Sequence, residues 1–218
     1  MEKKYSTILF DLDGTIINSQ DGITKCLQYA LECIGITIPD LKVLTPFIGP
    51  PLTVGFGAHF PNLTDEQIAF AIEKYRERYQ KTGMMEHYLY DGIPELLKTL
   101  QDSGKKLILA TSKPLEYAKL LLEHNGLTGY FNDIVGCGLD GTLNTKGEVI
   151  AYALQKNNIN DISEVLMVGD TKYDLDGAKQ NGIDCLCVLY GFGKRHELQD
   201  AEYIASTVAE LREFLTLH

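Results

Sequence analysis

Basic residues are scarce in this chain. Twenty Lys and Arg stand against 30 Asp and Glu, a formal net charge of −10 over 218 residues. Binding along a nucleic-acid backbone needs a basic face, so that class of partner is excluded. A small anionic substrate stays open, because a bound metal and the local field override net charge. A long apolar run is also missing. Met1-Glu2-Lys3-Lys4-Tyr5-Ser6 leads into a short one that ends at Asp11. It is too short for a signal peptide or a membrane span, so the expectation is a cytoplasmic protein with no membrane partner. Paired cysteines are lacking too: Cys26, Cys33, Cys137, Cys185 and Cys187 are odd in number and unlike a zinc site in spacing. They read as buried, reduced thiols. His59, His87, His124, His196 and His218 are scattered, and none has the spacing of a metal ligand.

What is present is ordinary for a globular protein: 44% hydrophobic and 23% charged residues, in a chain long enough for one core and a small accessory domain. Five short apolar runs read as strands of a covered parallel sheet: Tyr5–Phe10, Leu107–Ala110, Asp133–Val135, Val165–Val168 and Cys185–Leu189. Helical patterns separate the later ones. Pro94 opens one that stops at Gly104, Pro114 opens another, and Val149, Ile150, Ala153 and Leu154 mark a third. The alternation predicts an α/β fold with a doubly wound, mostly parallel sheet. Gly191-Phe192-Gly193-Lys194-Arg195 reads as a flexible loop after the last strand.

Between the first strand and Leu107 the rhythm changes. Ile23, Leu27, Ala30, Leu31 and Ile34 form a helical stripe closed by Gly35, and Thr64 and Gln67 have capping-box spacing before Ile68, Ile72, Tyr75 and Tyr79. The expected division is a core of residues 1–17 and 88–218 interrupted by a helical insert of residues 18–87. An insert placed just after the first strand is positioned to act as a lid.

That first strand runs into Asp11-Leu12-Asp13-Gly14-Thr15. In an extended chain residues two apart share a face, so Asp11 and Asp13 converge while Leu12 points inward. Two like charges this close repel unless a cation or a shared proton offsets them. The pair suits a hard metal ion and a phosphate, with one carboxylate as nucleophile and the other as proton carrier. Taken alone it is also an acidic strand-end turn. Three further segments carry candidate chemistry: Thr111-Ser112-Lys113 after the second strand, Lys146 at a helix start, and Gly169-Asp170-Thr171-Lys172-Tyr173-Asp174 after the fourth. Thr111 and Ser112 are alternatively caps of the helix at Pro114, and Asp174 is alternatively an N-cap. Asp140-Gly141-Thr142 imitates the first motif but has Gly138 at the nucleophile position, and reads as a turn.

With these motifs in this order, the chain resembles the haloacid dehalogenase-like (HAD) superfamily over its whole length. It is most similar to the branch of phosphoglycolate phosphatases and bacterial 5'-nucleotidases; Phe47-Ile48-Gly49-Pro50-Pro51-Leu52 and Tyr90-Asp91-Gly92-Ile93 add to the likeness. The resemblance implies a Rossmann-like core with a helical cap, and Mg²⁺ as cofactor. It implies that Asp11 attacks phosphorus to form an aspartyl-phosphate and that Asp13 serves as acid and then base. Asp11, the Asp13 backbone carbonyl and Asp170 would hold the metal. Thr111, with Ser112, Lys113, Gly14 and Thr15, would bind the substrate phosphate. Lys146 would offset the charge, supported by Asp174 and Gly169. Members often carry Pro after this lysine where Gly147 stands, and Lys113 is the competing lysine.

The expected activity is therefore Mg²⁺-dependent hydrolysis of a small phosphomonoester, phosphoglycolate first, with a nucleoside monophosphate as the alternative. A β-phosphoglucomutase-like mutase is disfavoured, because Asn18-Ser19-Gln20-Asp21-Gly22 lacks the histidine those relatives carry. A receiver-like phospho-acceptor module is the non-enzymatic alternative; it has no need of the insert, and it would accept phosphate once rather than turn over. Gln20, Thr53 and Tyr79 are candidate contacts to the leaving group. The partner is a small molecule, and the chain is expected to be a monomer or weak homodimer.

Overall fold

A computed structural model describes residues 4–218. Two compact units divide the chain: the first runs to Ile17 and resumes at Leu89, and the second is Asn18–Tyr88. Strand β1 (Thr7–Phe10) leads to β2 (Ile17–Asn18), where the chain enters the second unit. Helices α1 (Gln20–Cys33), α2 (Leu52–His59) and α3 (Asp65–Lys81) follow, and β3 (Tyr88–Leu89) leads back. The remainder is α4 (Ile93–Asp102), β4 (Lys106–Pro114), α5 (Leu115–His124), β5 (Asp133–Cys137) and α6 (Lys146–Lys156). Then come β6 (Val165–Gly169), α7 (Lys172–Gln180), β7 (Asp184–Val188), β8 (Tyr203–Ala205) and α8 (Val208–Leu217).

The first unit holds a six-stranded sheet in the order β5-β4-β1-β6-β7-β8, with every neighbouring pair parallel. Strands of such a sheet are covered on both faces, and Ile8, Leu9 and Phe10 of β1 are accordingly all without exposure. On one face Leu9, Ile108, Val135 and Met167 join Val149, Ile150 and Ala153 of α6 and Leu175 and Ala178 of α7 in a single apolar cluster. Each Val, Leu, Ile or Met among them contributes roughly 1.5–3 kcal/mol by leaving water. The chain winds from β1 toward β5 and then crosses back to β6, so the order reverses beside β1. Loops at the carboxyl ends of β1 and β6 therefore flank the switch point, where open α/β sheets bind ligands.

In the second unit, Ile23, Leu27, Ala30 and Leu31 of the stripe on α1 and Tyr75 and Tyr79 of the stripe on α3 are buried, whereas Ile34, Ile68 and Ile72 are half-buried and Ala71 takes a buried place instead. The Thr64–Gln67 capping box forms, with Asp65 and Glu66 in the first turn and Arg78 and Lys81 in the last, as the helix dipole favours.

Several expectations need correction. Thr111 and Ser112 do not cap α5, whose N-cap is Pro114 without a side-chain bond. Asp174 is not an N-cap; Thr171 holds that place in α7. The last strand is β8, missed because it is a three-residue edge whose Ile204 is 41% exposed. Cys33 is exposed and Cys137 half-buried rather than buried, although all five thiols are free. Among the described residues no helix is long and apolar enough to cross a membrane.

Candidate active site

Asp11 follows β1 and keeps the sheet register, its amide donating to the Val168 carbonyl at 2.9 Å. Beyond it the chain must turn at once. Gly14 does so at φ +83°, and a methyl group there would overlap the Asp170 carboxylate. Asp170 follows β6 and is wholly buried. The capping box of Thr145 and Glu148 starts α6 and sets Lys146 in its first turn. The Lys146 ammonium lies 2.7 Å from Asp11 Oδ1 and 2.8 Å from Asp174 Oδ1, and donates to the Ala110 carbonyl at 3.1 Å. The other Asp174 oxygen accepts from the Thr171 amide and hydroxyl at 3.0 and 2.8 Å. One oxygen of Asp174 thus closes the capping box whose N-cap is Thr171, and the other lies on the lysine.

The two lysines divide the work. Lys113 pairs with Asp13 at 2.7 Å, its own amide donating to the Thr111 hydroxyl at 3.2 Å. Thr111 is buried, and its hydroxyl helps to lower the Asp11 pKa. Thr15 is fully buried, with a hydroxyl that has no hydrogen-bond partner. Gly169 packs against Asp174, where a methyl group would overlap its carboxylate. Ser112 is half-buried, and its carbonyl accepts from the Cys137 thiol at 2.9 Å. The turn at Asp140 has no part in this group: Asp140 accepts from Thr142. In the second unit, Gln20 donates to the Thr45 hydroxyl at 3.3 Å, and Tyr79 is buried and stacked on Tyr75.

The electrostatics call for a cation. Burial pushes Asp11 up to about 6; Lys146 pulls it back, while Asp174 pushes the same way as burial. Burial, then Asp174 and Asp11, hold Asp170 well above the usual carboxylate range. Burial acts against the Lys146 ammonium, but Asp11 and Asp174 outweigh it and raise its pKa. Asp11, Asp170 and Asp174 each offer an oxygen within 4.8 Å of the others, and Asp170 Oδ1 is buried with no hydrogen-bond partner. Four carboxylates face two ammonium groups, an excess that one divalent cation offsets. An all-oxygen donor set suits a hard ion, so these residues fit such a metal. The carboxylate cluster includes Asp174, whereas the resemblance assigned Asp11, Asp170 and the carbonyl of Asp13.

Sequence reasoning missed the turn after β7. Phe192 donates its amide to Asp170 Oδ2 at 2.6 Å, and Tyr190 donates its hydroxyl to the Thr15 carbonyl at 3.0 Å. Of the segment read as a flexible loop, Gly191–Gly193 packs against Asp170, while Lys194 and Arg195 are exposed. Its signal was two glycines flanking an aromatic residue directly after an apolar strand.

Aspartates gathered at the switch point of a parallel sheet, with a lysine between them, are the equipment of a hydrolase that handles phosphate. The chain belongs to the haloacid dehalogenase-like hydrolase family, which matches it over residues 8–188. It is 42% identical to a 5'-nucleotidase of Pseudomonas aeruginosa, over 99% of this chain and 97% of that one. It is 35% identical to the tyrosine-protein kinase PtkA of Mycobacterium tuberculosis, over 95% of this chain and 72% of that one. It is 30% identical to a phosphoglycolate phosphatase of Vibrio vulnificus, over 96% of both. The crystal structure of a predicted phosphatase from Clostridium acetobutylicum superposes with a TM-score of 0.94 at 42% identity, covering 99% of this chain and 100% of that one. The protein is an enzyme, a phosphatase of this family.

Proposed function

We propose that the protein is a Mg²⁺-dependent phosphomonoesterase that works through an aspartyl-phosphate on Asp11. The observation that carries this reading is the Asp11 carboxylate at the switch point, ion-paired to Lys146 and two residues from a second carboxylate. Asp11 attacks phosphorus, and the bond to the leaving oxygen breaks as Asp13 gives that oxygen a proton. Asp13 then takes a proton from the water that cleaves the aspartyl-phosphate. The Thr111 hydroxyl holds a phosphate oxygen, and Lys146 offsets the charge that collects beside Asp11. Asp11, Asp170 and the Asp13 carbonyl would hold the Mg²⁺, with Asp174 kept for Lys146. The ion supplies charge neutralisation at the phosphate. We place the enzyme in the cytoplasm, a reducing compartment in which its five thiols stay free.

For the leaving group we favour a nucleoside monophosphate. The sequence put phosphoglycolate first; the relative named 5'-nucleotidase is the more similar of the two and reverses that order. Phosphate release from a panel of nucleoside monophosphates, phosphoglycolate and sugar phosphates tests this, with the highest kcat/KM expected on a nucleoside monophosphate. An arm with ATP and a tyrosine-containing polymer addresses the kinase name of the mycobacterial relative, and no phosphotyrosine is expected. Repeated turnover separates the enzyme from a receiver-like acceptor.

Excess EDTA is expected to abolish activity and Mg²⁺ to restore it, whereas Ca²⁺ inhibits. Ca²⁺ takes a higher, looser coordination and would engage both Asp11 oxygens, leaving neither free to attack. Full activity in EDTA counts against the reading. The same ion should stabilise the protein in a pH-dependent way. Asp11 is raised to about 6, so without metal its contribution is greatest below its unfolded value of 3.8 and is lost as pH rises through 6. The rise in melting temperature on adding Mg²⁺ is therefore expected to be larger at pH 8 than at pH 5.

We further propose that the second unit, Asn18–Tyr88, selects the leaving group. The aspartates, lysines and Thr111 of the first unit account for phosphate and metal alone, and none reads the rest of a substrate. Replacing the unit by a short linker is expected to leave hydrolysis of a small generic ester while abolishing discrimination among natural substrates. Unchanged relative selectivity in a folded deletion variant overturns this assignment.

A further inference from the structure

We infer that the Tyr190–Gly193 turn after β7 is a positioning element for the metal: it fixes the Asp170 carboxylate so that Oδ1 is presented to the cation. This rests on the divalent-metal reading above.

An aspartate carboxylate turns easily about its terminal torsion. A ligand lone pair has a fixed direction only if the other oxygen is anchored. Here the Phe192 amide anchors Oδ2 at 2.6 Å. Oδ1 is left buried with no hydrogen-bond partner, in a residue with no exposure. Leaving such an atom unpaired costs free energy, which is offset when a ligand takes it up.

The backbone on either side of this amide has no room for a side chain. A methyl group on Gly191 would overlap Oδ2 and Cβ of Asp170 and the Gly14 carbonyl. One on Gly193 would overlap the Asp170 carbonyl. The carboxylate is therefore held between Gly14 of the first turn and Gly191 of the last, and substitution at either forces it to rotate. Tyr190 ties the turn down at its other end. Its hydroxyl bonds the Thr15 carbonyl, and its ring stands edge-on to Tyr90 at 4.7 Å between centroids. The β1 turn and the β6 aspartate are thus joined through a third segment. Outer-shell partners of this kind are typically worth 10- to 100-fold in metal affinity.

Mn²⁺ binding to the full chain, measured by calorimetric titration, tests the inference, with folding monitored by metal-free thermal melts. The variants are Asp170→Asn, Gly191→Ala and Tyr190→Phe. Asp170→Asn is expected to lose binding. Gly191→Ala, folded, is expected to raise Kd about 10- to 100-fold, and Tyr190→Phe about 3-fold. A purely space-filling role would lower the melting temperature of the metal-free variant and leave Kd unchanged. A folded Gly191→Ala chain whose Kd is within about twofold of wild type overturns the inference while leaving the metal reading intact. If Gly191→Ala does not fold, Tyr190→Phe decides: a raised Kd supports the inference and a wild-type Kd overturns it. A wild-type chain that binds no Mn²⁺, or an Asp170→Asn chain that binds it normally, overturns the metal reading and the inference with it.

Discussion

Asp11→Asn is expected to reduce steady-state phosphate release to below about one hundredth of the wild-type rate, a loss of at least about 2.7 kcal/mol in transition-state stabilisation. The amide has nearly the same shape and keeps an oxygen toward Lys146, which Asp174 continues to hold at 2.8 Å. It cannot form an acyl phosphate. The protein should therefore stay folded, as judged by circular dichroism and a thermal melt, while turnover is lost. A folded variant that keeps more than about a hundredth of the rate rules out covalent catalysis by Asp11.

Lys146→Met is expected to cost both activity and stability. Lys146 lies on two carboxylates, with 2% of its side chain exposed. Methionine fills much of the space of the stem but leaves Asp11 and Asp174 buried beside Asp170 with no ammonium among them. Removing one partner of a buried pair typically costs about 3–5 kcal/mol, because the charge left behind is uncompensated. Urea denaturation in EDTA at neutral pH should show a loss of this size. Mg²⁺ should recover part of it, since a divalent cation replaces part of the missing positive charge. Phosphate release should fall at least about 100-fold even with Mg²⁺ present. Wild-type stability in EDTA would contradict the electrostatic role given to this lysine, whatever the activity.

The choice between lysines shows how far sequence reading reached. Both Lys113 and Lys146 were candidates to stand beside the nucleophile. The structure sets Lys146 on Asp11 and Lys113 on Asp13. These pairs join residues 135 and 100 positions apart, so no local pattern could assign them. Asp174 posed the same difficulty. From the sequence it was alternatively an N-cap; Thr171 holds that place, and only one Asp174 oxygen closes its capping box. The other meets a lysine from a helix packed alongside, and the sequence has no signal for that meeting.

The signals that were legible from the sequence were local in origin. Continuous apolar runs mark strands that a parallel sheet covers on both faces, and β1, β4, β5, β6 and β7 all lie at such runs. Thr64 with Gln67 marks a helix start, because the bonds involved span three residues. Asp11 and Asp13 share a face through the twofold period of an extended chain. The edge strand β8 escaped notice because an edge has one exposed side and little apolar pattern. Tertiary structure alone decided which carboxylate meets which ammonium, and turned Gly191-Phe192-Gly193 from a loop into a brace for Asp170. Those outcomes depend on how β1, β6 and β7 align at their carboxyl ends, which is set by the packing of the whole sheet rather than by any short stretch of chain.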